Sequence, residues 1–403
     1  MSVTPRPVAP VSSTSTVRVA NERALFEVLC RGGHLSAPEL VGATGLSKPT
    51  VGIALGELEE LGLVEQVGRR TGSTGRAPRV YRLSPSAGGA LAIDVGRQWV
   101  RGARVDLAGQ VVRRAQREAD GRPASALVEE VLGLADELVA DEPGADGGTP
   151  AGGHAVSHTV LGSPGVYDAA ADVIRLAPNL PGWEERSVLA RLRRRLPGTL
   201  VVENDINLAA LAELDGLRVD GEDTDDFVFV SVGTGLGMGV ISHGRLLRGA
   251  RGAAGEISYL PADPSTPSSP TRLEELTGSA SVVSAAREAG LEAISAVDVF
   301  DAARRGSSRA RVVVAREAER VALALTAVVA VLDPPLVILG GGVGRNGDLL
   351  LDPIRAVLRE RLPLPPPEIR VSRLGVDAPL QGALADGLVR ARQHAFEAAT
   401  AVA

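Results

Sequence analysis

From residue 90 onward, short aliphatic runs end in glycine-rich turns and alternate with helical stretches. This rhythm constrains the fold more than any other feature of the 403-residue chain. Leu91-Ala-Ile-Asp94 closes on Gly96, Phe227–Val232 on Gly233-Thr-Gly-Leu-Gly237, and Leu336–Leu339 on Gly340-Gly-Gly342. Further strands are expected at Ala155–Leu161, Leu200–Glu203 and Gly239–Ser242, with Val100–Leu107 and Val111–Arg117 as antiparallel partners. Ala124–Ala140 and Arg309–Leu332 read as helices, and 141–153 as a loop. Strands that alternate with helices build a covered sheet, so the fold class is α/β with antiparallel additions. Aromatics are only 2% of the chain, which leaves aliphatic residues and alanine to fill the core.

Composition removes several function classes. No stretch approaches the ~18 uninterrupted apolar residues of a membrane span, and Met1–Val17 lacks the apolar segment of a signal peptide. The single cysteine, Cys30, excludes a disulfide framework and any multi-cysteine zinc site, and it fits a reducing cytoplasm. The net charge of −6 is uneven. Residues 1–88 carry ten Lys/Arg against seven Asp/Glu, whereas the remainder is strongly acidic. A basic segment ahead of an acidic body suggests a polyanion contact near the N-terminus.

The N-terminal pattern gives that contact a shape. Residues 1–18 read as a disordered tail and 19–85 as one domain, closed by the linker Ser84-Pro-Ser-Ala-Gly-Gly89. Ser36-Ala-Pro-Glu39 is a capping box, with serine as cap and glutamate reaching back. After Gly45, Ser47-Lys-Pro-Thr50 starts a second helix whose Val51, Leu55 and Leu58 face inward. Two helices joined by a tight turn form a DNA-reading unit that enters the major groove tip first. Ser47, Lys48 and Thr50 are the candidate contacts there. Leu63–Val67 and Val80–Leu83 flank a loop holding Arg69, Arg70, Arg76 and Arg79 and no acid, which reads as a wing. Gly75-Arg-Ala-Pro78 suits an extended arginine laid along a narrow minor groove.

In the body, the motifs fall in one order: Leu91–Gly96, Leu161-Gly-Ser-Pro-Gly-Val166, Pro178-Asn-Leu-Pro-Gly-Trp183, Glu203-Asn-Asp205, Gly233–Gly237, Gly252-Ala-Ala-Gly-Glu256 and Ile338–Gly342. The series resembles the ROK family, which unites sugar kinases with transcriptional repressors of sugar genes. The resemblance implies a winged helix-turn-helix followed by a two-lobed actin-like (ribonuclease H-like) body. The first lobe would span 89–200, with a C-terminal helix at 380–397, and the second 201–379. It also implies a sugar site of Gly165, Asn204, Asp205, Glu256, Tyr259 and Glu274. Asp205 follows a buried strand, where a catalytic base or a helix cap would sit.

Two departures set the functional expectation. The family's kinases read Asp-x-Gly-Gly-Thr at the first phosphate turn, but this chain reads Asp94-Val-Gly96-Arg97-Gln98-Trp99. Side chains replace the glycine and the hydroxyl that phosphate approach needs. Relatives commonly build a zinc site from a histidine and three cysteines. Here Tyr259 takes the histidine position and Pro261–Pro270 replaces the cluster. No metal, no cofactor and no kinase activity are therefore expected. The expected function is a cytoplasmic, sugar-responsive repressor. It would bind double-stranded operator DNA as a homodimer or homotetramer, and a small sugar or sugar derivative in the cleft. The alternative is an ATP-dependent sugar kinase with a fused DNA-binding domain. Gly342-Val-Gly-Arg-Asn-Gly347 matches a dinucleotide fingerprint, but no acid follows at a second strand end. His154 and His158 lead into a strand and do not make a helical metal pair.

Overall fold

The computed structural model describes residues 13–69, 77–119, 122–140, 155–261 and 271–402. It opens with α1 (Ser13–Gly32), β1 (Leu35–Ser36), α2 (Ala37–Thr44), α3 (Lys48–Glu60), β2 (Val64–Arg69) and β3 (Arg79–Leu83). The three strands form a sheet in the order β1-β3-β2. Leu25, Leu29, Leu40, Val51, Leu55, Leu58 and Leu83 are buried together beneath it. Glu39 accepts from the backbone N–H (2.8 Å) and hydroxyl (2.7 Å) of Ser36, which fixes the start of α2. Gly45 ends α2 in the left-handed region, φ 69°, and donates its N–H to Val41. A side chain would strain that turn.

The tail expected over 1–18 is shorter than the composition suggests, because residues 13–18 lie in α1. Arg18 explains the extension: its guanidinium meets Glu57 of α3 at 3.2 Å. Residues 1–12 lie outside the described residues, as do Arg70 and Arg76 of the wing.

Next come β4 (Gly89–Val95), β5 (Trp99–Asp106), β6 (Val111–Glu118), α4 (Ala124–Val139), β7 (Val156–Ser163), β8 (Val166–Asp168), β9 (Val173–Arg175), α5 (Arg186–Arg195) and β10 (Thr199–Asn204). They build a sheet ordered β10-β7-β4-β5-β6, in which β4, β7 and β10 are parallel and β5 and β6 add antiparallel strands. Alternation sorts its faces. Leu91, Ile93 and Val95 pack with Leu127, Val131 and Leu138 of α4, whereas Ala92 and Val160 face the other way.

The chain continues through α6 (Asp205–Val219), β11 (Phe227–Val232), β12 (Leu236–Ser242), β13 (Arg245–Leu246), α7 (Leu273–Leu276), α8 (Ser279–Glu288), α9 (Ala296–Arg304), α10 (Ser308–Leu332), β14 (Leu336–Gly340), α11 (Gly341–Gly344), α12 (Gly347–Arg361), β15 (Glu368–Val371) and α13 (Ala378–Val402). A second sheet, β13-β12-β11-β14-β15, has α10 and α12 over one face, where Val321, Leu325, Leu350 and Ile354 are buried. Both sheets thus combine parallel strands with an antiparallel edge, as the actin-like fold requires. The expected division at residue 200 falls inside β10, whose six residues all pair with β7. The junction between the sheets is therefore Asn204–Asp205.

Helix α13 lies against the alanine face of the first sheet, with Leu380 and Ala383 buried there. It then reaches the N-terminal unit. Phe396 packs against Phe26 at a tilt, ring centroids 5.3 Å apart, and Arg392 donates to the carbonyls of Cys30 (3.0 Å) and Leu107 (3.1 Å). Gly382 faces the Leu208 backbone of α6 so closely that any Cβ would overlap the Leu208 carbonyl. Gly382→Ala should therefore destabilise the chain by about 1–3 kcal/mol despite its better helix propensity. Denaturant melts of the two forms check this, and an unchanged midpoint would show that α13 has slack.

Candidate functional site

The acidic groups of interest converge where the two sheets meet. Asn204, at the end of β10, caps α6: its Oδ1 accepts from the N–H groups of Ile206 (2.9 Å) and Asn207 (3.1 Å). Its Nδ2 donates to the Gly165 carbonyl at 2.9 Å, tying the β7–β8 turn to the start of α6. Gly165 has φ 86°, and a Cβ there would strike the Arg175 carbonyl. Glycine at 165 is thus required by the chain's own backbone.

Asp205 is the first residue of α6 and is half-buried. Burial, with the charges of Asp94 and Glu256 nearby, pushes its carboxyl up to about 7. Asp94, at the end of β4, is buried and sits at about 6, held from rising further by Arg101. The hairpin register sets Asp94 opposite Arg101, whose Nη1 lies 3.4 Å from Oδ2. Asp377 lies 3.6 Å from Arg101 Nε, and Arg114 lies 3.4 Å from Asp377. Sequence reasoning placed Asp94 in a phosphate turn and missed it as a member of this cluster. The missed signal was the hairpin itself, which pairs a terminal aspartate with an arginine across a tight turn.

Glu256 enters from the second sheet. It follows Gly255 (φ 93°), whose missing Cβ lets the turn pass against the Met238 carbonyl. Burial and the Glu274 charge raise the Glu256 carboxyl above its ordinary range. Glu274, on α7, reaches the Gly233-Thr-Gly235 turn, and a Cβ on Gly235 would lie 2.6 Å from its Oε1. Tyr259 is exposed, its ring capped by the Arg272 guanidinium 4.5 Å from the centroid. Burial and the neighbouring Glu256 push its hydroxyl up. Asp94, Asp205, Glu256, Glu274 and Tyr259 therefore form a continuous electrostatic neighbourhood. Asn204, next to Asp205 in the chain, ties this end of β10 to Gly165. Carboxyls whose protonated form is favoured can both donate and accept hydrogen bonds.

Other candidates fall elsewhere. Arg97 and Gln98 are exposed in the β4–β5 turn. His158 meets His394 edge to face at 5.7 Å, and His154 lies outside the described residues. Residues 262–270, in the segment that replaces the cysteine cluster, also lie outside them. Among the described residues no group of three or more His, Cys, Asp or Glu side chains is placed to hold a metal ion. No helix among them is long and apolar enough to cross a membrane. At the N-terminal unit, Ser47 Oγ accepts from the Thr50 N–H (3.3 Å), and the two hydroxyls are 2.8 Å apart. Both residues thus serve the cap of α3. Lys48, Arg69 and Arg79 are exposed.

Residues 90–390 match the ROK family. The chain is 24% identical to the xylose repressor of Bacillus subtilis over 241 residues, 59% of each protein. It is 24% identical to the xylose repressor of Caldicellulosiruptor bescii over 361 residues, covering 85% of this chain and 88% of that one. The glucokinase of Thermotoga maritima is 31% identical over 221 residues, 50% of this chain and 69% of the enzyme. Among solved structures, a ROK family transcriptional regulator described as a homologue of the E. coli MLC protein superposes with a TM-score of 0.73 at 20% identity. The match covers 96% of this chain and all of that one.

The acid cluster carries a pH signature. A carboxyl at about 7 in the folded chain and 3.8 otherwise holds its proton more tightly when folded. The unfolded chain loses that proton first as pH rises, so this group's contribution to stability falls between about pH 4 and 7 and then levels. Asp205→Asn removes the effect. The variant should gain about 1–3 kcal/mol on the wild type at pH 8 and nothing at pH 4. Thermal melts across this range check the sign; a gain largest at pH 4 would contradict it.

Proposed function

The chain belongs to the ROK family, and from that premise we propose that it is a sugar-responsive transcriptional repressor rather than a kinase. The observation that carries this reading is the N-terminal unit. A capped helix α3 with an exposed Lys48 and a flanking pair of strands stands ahead of the family body. The likeness to two xylose repressors supports the same reading. In this reading α3 enters the major groove, and Arg69, Arg70, Arg76 and Arg79 follow the backbone and the minor groove. Two copies related by a two-fold axis read a palindromic operator.

The sugar binds where the two sheets meet. Asp205, Glu256 and Glu274 take its hydroxyls, Tyr259 borders the ring, and Asn204 and Gly165 hold the floor. Binding draws the lobes together and changes the spacing of the two DNA-reading units. The ligand shifts DNA affinity only as far as it prefers one arrangement. Arg101 supports the non-enzymatic reading: it neutralises Asp94 from within the chain, at the turn where the family's kinases receive phosphate.

One observation favours the kinase reading. A carboxyl near 7 at Asp205 suits a general base that takes a hydroxyl proton, and the glucokinase likeness agrees with it. Calorimetric titration with xylose and with glucose, each with and without Mg-ATP, separates the two. Heat from sugar alone, with no sugar phosphate formed, is the expected result. Turnover of ATP to a phosphorylated sugar would establish the kinase.

Two variants test the repressor directly. Lys48→Ala should weaken DNA binding and lower the slope of log affinity against log salt by about one. Asp205→Asn should lose the sugar response while sugar-free DNA binding stays near wild type. Loss of DNA binding with normal sugar uptake by Asp205→Asn would remove Asp205 from the sugar site.

A further inference from the structure

Helix α3 turns an unusual face to solvent. Val51, Ala54, Leu55 and Leu58 are buried. At about 100° per residue, the opposite line runs through Pro49, Ile53, Gly56 and, in the last turn at the end far from Lys48, exposed Glu60, with Gly52 beside it. Ile53 is 64% exposed, a large apolar side chain standing alone on that line. A Cβ added at Gly52 or at Gly56 would meet nothing within 4 Å. Both are interior helical positions, where glycine is a poor choice and alanine the best. The two glycines and the exposed isoleucine therefore weaken or expose α3 without any return inside the molecule. They make sense against an external surface that comes close to the helix backbone.

Charge identifies that surface. Exposed Lys48 stands at the positive end of α3, and no acid occupies positions 47–56. The first acid, Glu57, is held by Arg18. Arg69 and Arg79 are exposed on the adjoining strands. The occupant is anionic at its edges and apolar in its centre. A DNA major groove has that character: phosphates line its rims, and the C5-methyl groups of thymine project from its floor. The groove is about 12 Å wide and a helix with its side chains about 10–12 Å across, so stripping side chains lets the axis sit deeper. Isoleucine has no hydrogen-bonding group, so the thymine methyl is the only base feature it distinguishes.

We propose that Ile53 is a specificity-determining residue that reads thymine methyl groups, and that Gly52 and Gly56 set the depth at which α3 lies in the groove. The inference rests on the DNA-binding reading of this helix and goes beyond it in naming the base feature read. The test uses the full chain and a pool of random-sequence duplexes. Sites enriched by the wild type are remade with uracil at each thymine in turn, which deletes one methyl group, and affinities are measured by fluorescence anisotropy.

At one or two positions in each half-site, uracil should weaken the wild type about fourfold, the worth of one buried methyl. Ile53→Ala should bind thymine and uracil forms equally. Gly56→Ala should bind every site at least about tenfold more weakly, while its thermal midpoint holds or rises with helix propensity. Indifference of the wild type to uracil at every position, or a thymine preference retained by Ile53→Ala, overturns the assignment. Wild-type affinity in Gly56→Ala overturns the role given to the glycines. Failure of the wild type to enrich any duplex would instead remove the DNA-binding reading itself, and this inference with it. Enrichment that Lys48→Ala weakens, combined with indifference to uracil, removes only the role of Ile53.

Discussion

The close approach of α6 and α13 organises the molecule. Gly382 brings the α13 backbone against the Leu208 carbonyl, and Gly387 lets the same helix settle on Ala90, where a Cβ would lie 3.0 Å away. Nothing larger fits. The chain's scarcity of aromatic residues and its wealth of alanine and glycine fit this packing, since small side chains let helix and sheet backbones approach. Because α6 carries Asp205 on its first turn, the position of α13 also sets where that carboxyl points. The same helix extends to Phe26 in the N-terminal unit. One tightly packed rod therefore meets both α6, whose first residue is Asp205, and α1 of the N-terminal unit.

The cluster crowds several carboxyls into a partly buried site. Asp94, Asp205 and Glu256 are all held above the ordinary carboxylate range, and burial is the leading cause for each. Asp94 has a close cationic partner in Arg101, at 3.4 Å. Such crowding persists only where the rest of the fold over-determines it, and sites of this kind concentrate function.

Much of this was legible in the sequence because its signals are local. Continuous apolar runs that stop on glycine mark β4, β11 and β14. The Ser36–Glu39 box marks α2, and Ser47 marks α3. What escaped depends on distant partners. The early start of α1 follows from an ion pair between Arg18 and Glu57, and the allegiance of β10 follows from its pairing with β7. Asp94 looked like part of a turn because its coupling to Asp205 comes from β7, which pairs with both β4 and β10 and sets their ends side by side. The need for glycine at 165 also comes from a distant partner, the Arg175 carbonyl, which fills the space that a side chain would need.

The contact between Phe396 and Phe26 also bears on how the protein is made. The N-terminal unit shares one continuous core with Ala391 and Phe396 of α13 and with Leu107 of the first sheet. Arg392 and Cys30, joined through a backbone carbonyl, are separated by 362 residues of chain. During synthesis the unit emerges first, yet its hydrophobic underside stays open until α13 leaves the ribosome, well over ten seconds later at ordinary elongation rates of ~5–20 residues per second. A nascent chain thus completes the underside of its N-terminal unit only once α13 has been built behind it.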